Sequence, residues 1–213
     1  MNIALIGATG FVGSAVLNEL LQRGHRVTVL ARHPEKLAAR EGLTVVQADA
    51  QDAAQVAQAV QGHDAVLSAY NPGWGLADIY EQFLRGSRAI TAGTQQAGVR
   101  RLLVVGGAGS LYVAPGVQLV DTPEFPAEWK QGALGARDAL NEIRQEQALD
   151  WSFLSPPILL QPGERTGQYR LGQDAPLMDG EQPGRISVAD LAVALVDELE
   201  SPRHVRQRFT VAY

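Results

Sequence analysis

Met1-Asn2-Ile3-Ala4-Leu5-Ile6-Gly7-Ala8-Thr9-Gly10-Phe11-Val12-Gly13 opens the chain, a short apolar run broken by three evenly spaced glycines. Ile3 to Ile6 is too short and too β-branched for a helix, and Gly7 ends it where the chain must turn sharply, so the stretch reads as strand, tight loop and helix start. Gly10 removes a side chain where backbone could approach a pyrophosphate, and Gly13 lets the following helix pack closely on the strand. That helix is expected from about Phe11 to Arg23, with Val12, Ala15, Val16, Glu19, Leu20 and Arg23 at helical spacing and Gly24 as its stop. Its N-terminus would aim free N–H groups and the positive dipole end at an anion. Glycines also end strands for ordinary turn reasons, but here strand, helix and a second strand at Arg26–Ala31 follow in order, which points to a dinucleotide turn.

Composition bounds the rest. The 213 residues fit one α/β domain and, at 46% apolar, can bury a proper core. Net charge is -5 and no run of Lys or Arg could neutralise a phosphate backbone, so nucleic acid is not an expected partner. Cysteine is absent, and His25, His33, His63 and His204 are scattered without paired spacing; neither disulfides nor a metal are expected. The first strand begins at once and no apolar run approaches membrane length, so the expectation is a cytoplasmic protein without a signal peptide or membrane partner. Monomer and homodimer both remain open.

Along the chain, strands alternate with helices, which predicts a doubly wound parallel sheet, a Rossmann-like α/β fold over residues 1–213. After the second strand, where an NAD site would carry an acidic residue for the ribose 2′-hydroxyl, this chain offers Arg32, with His33 and Lys36 close behind. A guanidinium fork suits a 2′-phosphate, which favours NADP(H) over NAD(H); an arginine on a solvated loop is the competing reading. Asp49 sits just past a third strand, Leu43–Ala48, placed either to accept from the adenine amine or to form a turn. Asp52 can cap a helix from Ala53 to Val60. Asp64–Ala69 reads as a strand covered on both faces, opening into the aromatic loop Tyr70-Asn71-Pro72-Gly73-Trp74-Gly75. A helix over about Asp78–Ala97 leads to a fifth strand, Arg100–Val105, ending in Gly106-Gly107-Ala108-Gly109-Ser110, small residues where a nicotinamide ring would need room. Leu111 to Lys130 reads as a loop that could form a lid or pocket wall, followed by a helix over about Gly132–Gln147. Asp150–Ser155 is a sixth strand, and Ile158–Arg185 is rich in Gly and Pro with one short strand near Gln168–Leu171. Ser187-Val188-Ala189-Asp190 suggests a capping box for the last helix, and Gln207–Ala212 a closing strand. The part from about 107 to 186 is expected to supply the substrate pocket.

Gly7-Ala8-Thr9-Gly10-Phe11-Val12-Gly13, Ala31-Arg32-His33-Pro34-Glu35-Lys36, Gly62-His63-Asp64-Ala65-Val66, Val104-Val105-Gly106-Gly107-Ala108-Gly109-Ser110-Leu111, Asp150-Trp151-Ser152-Phe153-Leu154-Ser155-Pro156 and the tail Pro202–Thr210 together resemble the atypical short-chain dehydrogenase/reductases. Within them the chain is similar to the NmrA-like group whose members carry the provisional name NADH-flavin reductases. The resemblance covers essentially the whole chain. It implies cofactor contacts from Gly7, Thr9, Gly10, Phe11, Val12, Gly13, Arg32, Asp49, Ser68, Ala69 and Tyr70, with Gly106 at the nicotinamide end. Where the family label says NADH, Arg32 argues for NADPH.

One departure bears on the chemistry. Typical short-chain dehydrogenases reduce a carbonyl with a Tyr-x-x-x-Lys pair, the Lys lowering the phenol's pKa so that it can protonate the developing alkoxide. Here the lysines are Lys36 and Lys130, and neither stands four residues after a Tyr. Reduction of a flavin or quinone tolerates that loss better, because an extended ring spreads the incoming charge and needs stacking and orientation more than a dedicated proton donor. Tyr70, Trp74, Tyr112, Phe125 and Trp129 could line a flat slot for such an acceptor, although each taken singly is an ordinary packing residue. Ser110 and Tyr112 are the candidate catalytic residues, as proton donor or carbonyl-orienting group, with Ser110 as a plain turn serine the competing reading. Two alternatives differ in class: an NADP(H)-binding redox sensor without turnover, and a carbonyl or sugar-nucleotide enzyme using Ser110 with Tyr112 or Tyr80.

Overall fold

In a computed structural model that describes residues 1–213, β1 (Asn2–Ile6) lies inside an eight-stranded sheet. Ile3 and Leu5 enter one apolar core and Ala4 and Ile6 the other, as period-two alternation requires of a strand covered on both faces. On one side β1 pairs with β2 (Arg26–Ala31), which pairs with β3 (Leu43–Gln47). On the other side come β4 (Ala65–Ser68) and β5 (Arg101–Val105). Beyond β5 the chain forms the hairpin β6 (Tyr112–Ala114) and β7 (Val117–Gln118), then returns as β8 (Asp150–Ser155) beside β5. Two short pairs follow: β9 (Leu159–Gln161) with β13 (Arg185–Ser187), and β11 (Met178–Asp179) with β12 (Gln182–Pro183). With β10 (Arg170–Gly172) and β14 (Gln207–Ala212) the sheet order is β10-β14-β8-β5-β4-β1-β2-β3. Every neighbour is parallel except β10, which runs antiparallel to β14.

Helices cover both faces. α1 (Phe11–Gln22) and α5 (Val188–Glu200) pack on one side, and α2 (Ala53–Val60), α3 (Ile79–Gln96) and α4 (Ala127–Ile143) on the other. This is the doubly wound, Rossmann-like α/β arrangement, and its strand order reverses between β1 and β4. The expected strands and helices recur within a residue or two, and Asp52 caps α2 by accepting the N–H groups of Ala54 and Gln55.

Four stretches differ from expectation. Between Ile158 and Arg185, where one short strand was expected near Gln168–Leu171, the chain forms β9, β10, β11 and β12 and enters β13. The supposed loop from Leu111 to Lys130 contains the β6–β7 hairpin, and α4 starts inside it at Ala127, because a proline can sit next to a helix start, where its missing N–H costs nothing. The same helix ends at Ile143 rather than Gln147; the Glu146 carboxylate accepts the N–H groups of Ala148 and Leu149 and turns the chain. Ser187 does cap α5, accepting the Asp190 N–H, but Asp190 does not complete a capping box. Its buried carboxylate accepts instead from the Thr166 hydroxyl, the Thr166 and Gly167 amides and the Tyr213 hydroxyl.

Asp190 thus fastens the long C-terminal loop to α5, and Glu19 does the same on α1. Glu19, one of the residues at helical spacing on α1, is buried, paired with Arg23 at 2.6 Å and held bidentate by Arg165 at 2.7 and 2.8 Å. The hydrogen bond from Arg165, aided by Arg23, holds the Glu19 carboxyl below its usual range against the opposing effect of burial. For Asp190 burial pushes up, and the bonds from Thr166, Tyr213 and Gly167 outweigh it, leaving the carboxyl lowered. Both groups bind protons less tightly folded than unfolded, so their stabilisation is complete above the ordinary carboxylate range and lost as pH falls through their lower folded values. Glu19→Gln should therefore melt below wild type at pH 7, and the gap should close as the buffer is taken below about pH 4. Thermal melts of both proteins across that range measure it.

Candidate functional site

Parallel pairing puts the carboxyl ends of β1, β2, β4, β5 and β8 on one edge, and the named candidates gather there. Gly7 follows β1, Arg32 follows β2, Asp49 lies just beyond β3, Ser68-Ala69-Tyr70 ends β4 and Gly106 follows β5. A crevice at the point where strand order reverses is where open α/β sheets take their ligands.

The glycine turn is built by close approach. Gly7 has φ +85°, and a Cβ there would lie 2.3 Å from the Ala69 carbonyl oxygen; a Cβ on Gly13 would lie 2.0 Å from the Gly7 carbonyl oxygen. These two glycines let β1, β4 and α1 touch. Gly10 differs: a Cβ there meets only the Gly7 oxygen, at 3.4 Å, so the space around it is open. Gly10 donates to the Gly7 carbonyl at 3.0 Å and caps α1 without a side-chain bond, while Ser14 N–H is the first to bond back into the helix. The amides of Phe11, Val12 and Gly13 consequently keep their donors free, with the positive end of α1 behind them. Thr9, Gly10 and Phe11 are exposed beside them.

At the far side of β2 the Arg32 guanidinium enters no ion pair or hydrogen bond with the protein; only its carbonyl is engaged, accepting from Gln47 Nε2 at 3.4 Å. His33 next to it pairs with Glu35 at 3.2 Å. Asp49 is half-buried and accepts the Gln51 N–H at 2.9 Å, a turn bond that occupies one carboxylate oxygen.

The loop aromatics divide. Tyr70 turns away from the crevice: its ring packs so closely on Gly86 of α3 that a Cβ there would lie 2.3 Å away. Its hydroxyl donates to the Gln82 carbonyl at 3.0 Å and accepts from Gln51 at 3.1 Å, and burial raises its pKa. Only its backbone stays at the strand end. Trp74 rests on Gly132 of α4 yet remains 60% exposed, and Trp129, three residues before that glycine and so on the same face of α4, is 52% exposed. Phe125 is half-buried beside Gly109. Phe11 at the start of α1, Leu76 in the loop after β4, and Ile158 and Leu159 where β9 begins add exposed apolar surface; Ile158 and Leu159 were missed because a Gly/Pro-rich stretch carries no periodic signal.

The candidate catalytic pair is not brought together through side chains. Ser110 is 2% exposed, its hydroxyl 3.4 Å from the Ser155 hydroxyl and from the Gly107 carbonyl. Tyr112 is half-buried, and its backbone N–H donates to the Asp174 carbonyl at 2.8 Å. Gly106 lies against the Phe153 ring, which a Cβ would meet at 2.0 Å. Of the lysines, Lys36 lies in the 3-10 turn after β2 and Lys130 on α4. No group of metal-ligating side chains forms in the chain, and no helix is long and apolar enough to cross a membrane.

An anion-ready helix end at the switch point of a parallel sheet defines a nucleotide-binding α/β protein, and residues 7–199 match the NAD(P)H-binding family. The chain belongs to that family. The uncharacterized protein YwnB of Bacillus subtilis is 37% identical over 99% of this chain and 98% of its own. A solved structure from Bacteroides thetaiotaomicron, described provisionally as an epimerase, is 45% identical and superposes with a TM-score of 0.93 over 100% of this chain and 96% of that one. Another from Streptococcus pneumoniae, described provisionally as an NADH-flavin reductase, is 34% identical with a TM-score of 0.86, covering 100% and 99% of the two chains. The protein is an NAD(P)H-binding protein of the atypical short-chain dehydrogenase/reductase kind. The relatives' descriptions differ in reaction.

Proposed function

We propose that the protein is an NADPH-preferring reductase that passes hydride to a flat acceptor, a flavin or a quinone. The observation that carries this is the pairing of an uncommitted Arg32 guanidinium at one end of the crevice with exposed Trp74, in the loop after β4, and exposed Trp129, in the first turn of α4, at the same edge.

In this reading the free amides of Phe11, Val12 and Gly13 and the α1 dipole hold the pyrophosphate, and Gly7, Thr9 and Gly10 shape the turn that brings it to them. Arg32 takes the 2′-phosphate and Asp49 the adenine amine. The Ser68-Ala69-Tyr70 backbone faces the ribose and nicotinamide, and Gly106, whose missing side chain makes way for the Phe153 ring, meets them through its backbone. Residues from about 107 to 186, joined by Trp74, wall the acceptor. When bound, the cofactor supplies the hydride; the chain's part is to orient the two rings and exclude water. A ring system that delocalises charge needs no Tyr-Lys pair, which accords with lysines placed on other elements. With Ser110 buried, Tyr112 is the better-placed proton donor of the two.

The test is oxidation of NADPH, followed by absorbance, with FMN, FAD or a quinone added. Turnover should require the acceptor, exceed that with NADH, and fall about tenfold or more in Trp74→Ala and Trp129→Ala from lost stacking and orientation. Tight NADPH binding without turnover on any of the three would leave the redox-sensor reading in its place.

A further inference from the structure

We infer that Arg208, on the last strand, is a positioning residue for the acceptor side of the crevice, acting through Ser110, Ser155 and Asp174. The inference rests on the proposed reductase reading for its consequence in turnover but not for its geometry.

β14 is apolar where it meets the core: Phe209 and Val211 are fully buried against α1 and α5. Alternation turns Arg208 and Thr210 to the opposite face, where their register partners on β8 are Phe153 and Ser155. A guanidinium with a side-chain exposure of 1% stands on that face, and burying one is costly unless its donors are used. They are used on three segments at once. Nη1 lies 3.3 Å from the Ser110 carbonyl and 3.4 Å from the hydroxyls of Ser110 and Ser155. Nε donates to the Asp174 carboxylate at 2.8 Å, and Nη2 reaches the same carboxylate and, at 3.2 Å, the Asp174 carbonyl.

What these contacts hold is the nicotinamide end of the site. Ser110 closes the Gly106–Ser110 turn after β5, and Ser155 is the last residue of β8. The Asp174 carbonyl that Arg208 grips also accepts the Tyr112 N–H, so the β6–β7 hairpin is referred to the same guanidinium. Gln118 on that hairpin donates to the Ser110 carbonyl at 3.1 Å, closing the circuit. No contact of Arg208 reaches Gly7–Gly13 or Arg32. Losing it should loosen the acceptor half while leaving the adenosine half intact.

Three variants test this: Arg208→Met, close in size without donors; Arg208→Lys, which keeps the charge; and Asp174→Ala, which removes a carboxylate that is itself 57% exposed and leaves the guanidinium in place. Hydrogen exchange is followed by mass spectrometry with NADP⁺ bound, alongside NADPH affinity, the emission of bound NADPH and steady-state kinetics with FMN. Exchange at residues 106–118 should quicken about tenfold or more in Arg208→Met and Asp174→Ala, with β1 and α1 protected as in wild type. NADPH affinity should stay within about threefold while kcat falls about tenfold to hundredfold, a loss of alignment that Arg208→Lys restores in part. Unchanged exchange at 106–118 in both Arg208→Met and Asp174→Ala would overturn the inference, as would a uniform rise across the sheet with turnover per folded molecule preserved. Absence of turnover in wild type would overturn the reductase reading instead, and exchange with bound-NADPH emission would still decide the role of Arg208.

Discussion

Alanine at position 10 should leave the protein melting within about 2 °C of wild type, since a Cβ there makes only ordinary contact and φ is -83°. Its affinity for NADPH and NADH alike should nonetheless fall about 100-fold, a loss near 2.7 kcal/mol, because the new methyl stands in the open space where a pyrophosphate would meet the backbone. The contrast lies with its two neighbours. Gly13→Ala places a Cβ 2.0 Å from the Gly7 oxygen, and Gly7→Ala adds a left-handed φ to a 2.3 Å approach, so both should lower the melting temperature as well as the affinity. Calorimetric melts and cofactor titrations separate the cases. Gly10→Ala binding NADPH as wild type does would show that the turn is not the phosphate cradle.

Arg32→Ala should weaken NADPH binding about tenfold to hundredfold and NADH binding by less than about twofold. The range follows from the roughly 1.5–3 kcal/mol of charge-assisted hydrogen bonds to one phosphate. Because the guanidinium makes no bond to the protein, its removal leaves no buried partner unsatisfied, and stability should stay within about 0.5 kcal/mol of wild type. Titration of both cofactors into both proteins measures the selectivity directly. An unchanged NADPH-to-NADH ratio would mean that Arg32 is a solvated loop arginine and that 2′-phosphate recognition has another source. The two variants act at different places in the crevice, Gly10 on what both cofactors share and Arg32 on what distinguishes them.

The features legible in the chain were those whose physics is local. A glycine triplet between strand and helix, Asp52 two and three residues before the amides it caps, and glycines at positive φ after α1, α2 and α3 all act within one turn of backbone. Strand periodicity gave the sheet, and the resemblance in the motifs gave the family. What sequence could not settle was the fate of side chains whose partners lie far along the chain. Tyr70 was a fair candidate for the acceptor slot until Gly86 offered its ring a notch on α3. Glu19 looked like a helix-face residue, and only folding brings Arg165, 146 positions away, onto its carboxylate. Ser110 reads equally as proton donor or carbonyl-orienting group and as turn serine until Arg208, 98 positions on, is found against it. Backbone hydrogen bonding and φ/ψ preference are decided by near neighbours and so are written in short stretches of sequence. Which donors a buried carboxylate or hydroxyl meets depends on how layers of helix and sheet close over one another, and that is a property of the assembled structure alone.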